Sequence, residues 1–368
     1  MPKLVLPKTD LRGMPLAELT AAVQALGEPA YRAKQLYTWI HKRYARSFAD
    51  MTDLAKSLRA KLEEGFQLGS LSKDLEQRSV DGTIKYRWKT ADGELIESVY
   101  MPSEDRKTLC VSTQVGCAMG CKFCMTATLG LKRNLTAGEI CDQVYAVNAS
   151  LRAEGAAEER PLSNLVFMGM GEPLHNFENL KVALGLLQSD EGCNFSHRHI
   201  TVSTVGLVPM IERFGQETNV KLAISLNATT DEQRGAVMPV NKKWPIAALI
   251  EACKKFPLKQ GRRITFEYVL LKDVNDTDDD AKRLAALLQD VPAKVNLIPY
   301  NDNPGLGFHS VGEARAEAFR EVLAGRNVFA AIRKNRGRDI AAACGQLANV
   351  EKKALVVTDI PDDVKAMS

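Results

Sequence analysis

Between residues 108 and 299 the chain repeats one hydropathy pattern, a run of four to eight apolar, β-prone residues followed by a stretch of helical period. The runs lie at 108–112, 165–168, 200–203, 222–226, 264–271 and 295–299, and helical spacing follows at, for example, 139–151, 180–187 and 280–288. Strands that are apolar along their whole length are covered on both faces, which is the condition of a parallel sheet flanked by helices. The alternation predicts an α/β core of six strand–helix units, a partial (β/α)6 barrel; a flatter doubly wound sheet fits the same pattern. In either arrangement functional groups collect at the carboxyl ends of the strands.

Upstream the period changes. Leu16, Leu19, Val23 and Leu26, then Leu36, Trp39 and Ile40, then Leu54, Leu58 and Leu62 recur at helical spacing and predict a helical accessory domain over residues 1–75. Its middle helix carries Lys34, His41, Lys42, Arg43 and Arg46, a basic face that either meets solvent or binds RNA. Residues 76–102 alternate about Asp-Gly turns at 81–82 and 92–93 and read as a short β linker. The core then spans 103–338, and 339–368 forms a C-terminal segment. No fixed repeat occurs, which sets aside solenoids and propellers. Lys3, Lys8 and Asp10 interrupt any apolar run at the start, and no stretch suits a membrane span, so a cytoplasmic protein without membrane contact is expected. A net charge of +4 permits a nucleic-acid partner without demanding one.

In a reducing compartment eight cysteines do not read as a disulfide framework, so their spacing carries the information. Cys117, Cys121 and Cys124 follow the first core strand on a loop that also holds Gly116 and Gly120. This C-x3-C-x2-C cluster predicts a metal centre. A structural zinc would require a fourth ligand nearby, and Cys141 lies inside a predicted helix. Three thiolates on a four-iron cluster instead leave one iron open. Gly169-Met-Gly171-Glu172-Pro173 ends the second strand, and polar groups end later ones: Ser203, the Ser225-Leu226-Asn227 string, and Asn301. Cys110 and Cys344 stand apart and, like Cys141, Cys193 and Cys253, read from composition as ordinary buried thiols.

The cysteine spacing, with Phe123 before the last thiol, and the glycine-rich turn one unit later resemble the radical S-adenosylmethionine (SAM) superfamily. The strings Gln114-Val-Gly-Cys117, Gly130-Leu-Lys-Arg-Asn-Leu135, Phe167-Met-Gly-Met-Gly-Glu-Pro-Leu174 and Ala343-Cys344-Gly-Gln-Leu347 are similar to the RlmN/Cfr family of RNA methyltransferases, over nearly the whole chain. The resemblance implies a radical SAM barrel with one [4Fe-4S] cluster on Cys117, Cys121 and Cys124. SAM would sit at the open iron, two molecules per turnover, contacted by Gly171, Glu172, Ser203, Ser225, Leu226, Asn227 and Asn301. Position 227 is Asn where many relatives carry His, which alters only the donor geometry.

By the same resemblance Cys344 carries the methyl group, Cys110 is the resolving thiol that forms a transient disulfide with Cys344, and Glu97 accepts a proton. The implied reaction is methylation of adenine C2 in 23S ribosomal RNA and of the adenosine 3' of the anticodon in transfer RNA, through a covalent protein–RNA adduct. A radical route suits that carbon, which is neither acidic nor nucleophilic. A flavodoxin or ferredoxin would supply electrons to a monomeric enzyme. Two other readings stay open here: methylation at adenine C8 with the same cysteines, and a non-enzymatic RNA-binding protein with a metal centre. Lys132, Arg133, Arg333, Lys334, Arg336 and Arg338 are candidate phosphate contacts.

Overall fold

The computed structural model describes residues 8–158, 160–303 and 305–348; the last part of the expected C-terminal segment, 349–368, lies outside the described residues. Seven parallel strands form the core: Lys107–Cys110, Asn164–Phe167, Ile200–Thr204, Lys221–Ser225, Ile264–Leu270, Ala293–Pro299 and Ala330–Ile332. Each pairs with the next in chain order. Six match the expected apolar runs. The seventh holds three residues, two of them alanine, too short and too weakly apolar to stand out in the sequence.

Helices cover the outer face of the core sheet. The first, Ala137–Ala153, starts at a reciprocal cap in which the Glu139 amide donates to Thr136 Oγ1 (3.1 Å) and the Thr136 amide to Glu139 Oε2 (2.9 Å). The stretch expected to be a linker is continuous with the core sheet. Ser72–Arg78, Ile84–Lys89 and Leu95–Pro102 form an antiparallel meander, and Leu95–Pro102 pairs with Lys107–Cys110 in the register Val99 to Cys110. Its Asp-Gly turns place Gly82 and Gly93 at φ of 83° and 86°, where only glycine is unstrained. The resulting ten-stranded sheet is open: among the described residues nothing pairs Ser72–Arg78 with Ala330–Ile332, so the barrel is partial. No helix is long and apolar enough to cross a membrane among the described residues.

Helices Leu16–Ala25, Tyr31–His41 and Lys56–Gly65 form the N-terminal unit. It docks on Ala137–Ala153 through polar groups as well as apolar ones. Arg12 and Asp142 pair with side chains 2% exposed each, and the Arg12 guanidinium also donates to the Ala45 carbonyl at 2.8 Å. His41, expected on a basic face, is buried with Nδ1 2.7 Å from the Tyr145 hydroxyl. Burial, helped by the Arg12 charge, lowers its pKa to about 3, so it is neutral at physiological pH. Removing one member of a buried ion pair strands the other charge, which costs about 3–5 kcal/mol. Asp142→Asn is therefore expected to lower the unfolding free energy by that order, read as a lower midpoint in denaturant, and an unchanged midpoint would show that breaking the pair costs nothing.

Candidate active site

The loop of three cysteines is held from both sides. The short strand Gln114–Gly116 pairs with Leu131–Asn134 at its base. The Cys117 amide donates to Gly130 O and the Lys122 amide to Val237 O, both at 2.9 Å. Gly116 sits at φ 77°, and a Cβ there would lie 1.8 Å from Gly130 O, so no other residue fits this turn. Cys117, Cys121 and Cys124 line one cavity, together with Gly171, Glu172, Ser203, Ser225, Asn227, Asn301 and Cys344. Every expected SAM contact but Leu226 thus faces the same space as the thiols. Leu226 is buried instead, its amide donating to Glu267 O at 3.1 Å and its carbonyl accepting from Arg234 Nε at 3.0 Å.

Burial pushes the three thiols up, and for Cys121 the nearness of Cys124 and Cys117 adds to it. Among the described residues no group of three or more His, Cys, Asp or Glu side chains could hold a single metal ion. The donor set fits an iron–sulfur cluster, because three soft thiols come from one loop and polar groups capable of holding a small zwitterion line the rest of the cavity.

Glu172 is the most constrained of those polar groups. It is buried, Oε1 accepts from the Leu174 amide (3.0 Å) and Oε2 from the Val205 amide (2.9 Å). Burial raises its pKa to about 7, a condition that a bound cationic amine would relieve. Gly171, at φ 99°, lets the chain pass Gln114, whose Cβ would lie 2.5 Å from an added methyl. Ser203 and Ser225 hydroxyls stand 3.4 Å apart on neighbouring strands. The Asn227 amide is already used, with Oδ1 accepting from the Val269 amide at 2.8 Å and Nδ2 directed at Met238 sulfur at 3.3 Å.

Cys344 rides on a segment fixed by long-range contacts. At its start, Asp81 accepts from the Gly337 amide (3.0 Å) and the Ser79 hydroxyl donates to Asp339 (2.6 Å). Past the thiol, the Met125 amide donates to Gly345 O (2.8 Å) and the Thr126 hydroxyl to Leu347 O (2.6 Å), so the cysteine loop itself carries this segment. Cys344 borders a second chamber as well, which Cys110 also lines. Both thiols are free. Burial raises the Cys110 pKa to about 12, with the proximity of Cys344 contributing.

Glu97 lines neither chamber. It lies behind the Cys344 segment, where Oε2 accepts from the Ala348 amide at 3.0 Å and Oε1 stands 3.5 Å from Lys85 Nζ. Burial pushes its carboxyl up against the opposing charge of Lys85.

The expected phosphate contacts divide. Arg333, Lys334 and Arg336 line the second chamber. Arg133 is held instead between Asp92 (2.6 Å) and Glu139 (2.8 Å), and Lys132 pairs with Glu94 at 2.6 Å; Asp92 and Glu94 come from the distant turn of the meander. Arg338 donates to Asn301 at 3.0 Å. Two residues absent from the sequence reading, Glu267 and Asn296, line the second chamber from adjacent strands. The available signal was an acid in the middle of an otherwise buried strand, Ile264-Thr-Phe-Glu267-Tyr-Val-Leu270.

Comparison with known proteins agrees with this geometry. Residues 9–68 match the ribosomal RNA large subunit methyltransferase N-terminal domain, and residues 111–285 match the radical SAM superfamily. The chain is 69% identical over 342 residues to the dual-specificity RNA methyltransferase RlmN 2 of Myxococcus xanthus, covering 92% of this chain and 90% of that one. It is 50% identical over 338 residues to the dual-specificity RNA methyltransferase RlmN of Geobacter sulfurreducens, with coverage of 92% and 91%. The crystal structure of a radical SAM methyltransferase from Sphaerobacter thermophilus superposes with a TM-score of 0.88 at 45% identity, over 92% of this chain and 99% of that one. With full-length identity, both domain matches and one shared fold in agreement, the chain belongs to the RlmN family of radical SAM RNA methyltransferases.

Proposed function

We propose that this protein methylates C2 of an adenosine in 23S ribosomal RNA, and the adenosine 3' of the anticodon in transfer RNA, with Cys344 carrying the methyl group between donor and base. The observation that supports this most is the position of Cys344, which borders both the cavity of the three cysteines and the chamber of Cys110. A thiol in that place can meet a donor on one side and a base on the other.

Cys117, Cys121 and Cys124 would hold a [4Fe-4S] cluster, with SAM among Gly171, Glu172, Ser203, Ser225, Asn227 and Asn301. Bound there, cluster and SAM supply an electrophilic methyl group and, from a second SAM, a carbon-centred radical. Cys344 takes the methyl group as a thiolate. Cys344 is exposed, and the Arg333 charge beside it favours the thiolate, as a cationic sulfonium nearby would further do. The methylated side chain, having lost one hydrogen, bonds to C2 and joins protein to RNA. The adduct regains its aromatic ring by losing the C2 proton and one electron, which returns to the flavodoxin or ferredoxin couple. Cys110 then attacks the Cys344 sulfur and breaks its bond to the bridging carbon, which keeps the bonding pair and takes a proton to become the methyl group. The resulting disulfide needs two electrons before the next cycle. Glu97 lies behind the Cys344 segment and lines neither chamber, so accepting the C2 proton requires that segment to shift. Electrons would come from a flavodoxin or ferredoxin to a monomer in the cytoplasm.

The test is mass spectrometry of nucleosides digested from RNA incubated anaerobically with iron-loaded protein, SAM and reductant. We expect 2-methyladenosine. An 8-methyladenosine product would move the reaction to the other carbon, and a colourless protein that leaves SAM and RNA untouched would sink the enzymatic reading.

A further inference from the structure

Glu267 is an acid in the interior of the core sheet, 5% exposed on the strand Ile264–Leu270. Its Oε1 accepts from Asn296 Nδ2 on the adjacent strand at 2.9 Å, which fixes the carboxylate. Its Oε2 has no hydrogen-bond partner. A buried carboxylate oxygen without a donor is destabilising unless a ligand completes it. Glu267 lines both chambers, as does Cys344, and Arg333 stands with it in each. The other buried acid of these walls, Glu172, has both oxygens on backbone amides. The remaining acids of the second chamber, Glu104 and Asp105, are exposed at its rim. Nothing in the methyl transfer proposed above uses Glu267.

We infer that Glu267 is a specificity-determining residue that accepts a hydrogen bond from the exocyclic amine of the target base. The inference rests on the adenine reading above. A base whose reactive carbon reaches Cys344 within range of Cys110 must enter the chamber that Glu267 lines, and there it can offer the missing donor to Oε2 once the side chain turns to meet it. An ionised carboxylate only accepts, and adenine presents a donor at position 6 where guanine and hypoxanthine present an acceptor. The same oxygen that welcomes adenine therefore repels the other purines. Asn296 holds the acceptor in place from behind.

The test compares short RNAs carrying adenosine or inosine at the target position, with the parent and with Glu267→Gln. A site built to pair with a donor rejects an acceptor strongly, so the parent is expected to favour adenosine by about a hundredfold or more. The glutamine amide can donate as well as accept, so the variant should narrow that ratio by at least about tenfold. Methylation of Cys344 by SAM without RNA should be retained and no slower than in the parent, because loss of the Glu267 charge beside Cys344 favours its thiolate, and that activity also reports an intact fold and cluster. An unchanged ratio would overturn the inference alone. So would a loss of Cys344 methylation matching the loss on RNA, because Glu267 would then serve the methyl donor. A parent protein that modifies no adenosine at all would overturn the adenine reading together with the inference.

Discussion

Replacing Cys110 by alanine is expected to leave the protein covalently joined to its RNA. Cys110 ends the first parallel strand, 8% exposed, and shares a chamber with Cys344. Of the other cysteines Cys124 also borders that chamber but would be committed to the cluster, and the rest have no path to that sulfur: Cys141 lies against Ala183 O beneath the Ala137–Ala153 helix, Cys193 against His41 O, and Cys253 is buried in its own helix. With no thiol to take over, the variant should methylate Cys344 and bond it to the base, then stop. Protein retarded on a denaturing gel, released by nuclease to a mass increase on the Cys344 peptide, is the expected result. Free Cys110→Ala protein cycling at the parent rate would mean that another group resolves the adduct.

Loss of any one thiol among Cys117, Cys121 and Cys124 should have an equally large effect at an earlier point. All three come from one loop into one cavity, and no fourth cysteine stands on that wall except Cys344, which the reaction uses. A cluster short of one ligand loses its hold on the protein. Each Ala variant should therefore lose its iron, its visible absorption, Cys344 methylation and reductive SAM cleavage together, all by orders of magnitude. A variant that lacks one of the three and still cleaves SAM at the parent rate would refute the ligand assignment.

How far the sequence speaks follows from the range of the interactions involved. The six long parallel strands were legible because burial on both faces makes them apolar runs. The cysteine loop and its glycines were legible because the chemistry lies within eight residues. What was hidden is long-range. His41 looks basic and exposed on its own helix, and only Tyr145 and Arg12 make it a buried neutral ring. Arg133 looks free for phosphate until Asp92, forty-one residues earlier, pairs with it. The segment of Cys344 has no regular period, with Gly337, Ala341 and Gly345 all at positive φ. Its placement comes from Asp81, Glu97, Met125 and Thr126, none of them near it in the chain. The resemblance could name Cys344, while the fold alone explains what brings it to two chambers.

The buried link between Arg12 and Asp142 also bears on how the chain is made and rearranged. Arg12 leaves the ribosome well over a hundred residues before Asp142 does, and His41 likewise waits for Tyr145. The N-terminal helices therefore reach their final packing only after the Ala137–Ala153 helix has emerged, against the common order in which a leading domain closes first. For anyone grafting this N-terminal unit onto a relative, the transferable piece is not residues 9–68 alone. It includes the face of Ala137–Ala153 that bears Asp142 and Tyr145, and a hybrid made at the sequence boundary would inherit a stranded guanidinium at its seam.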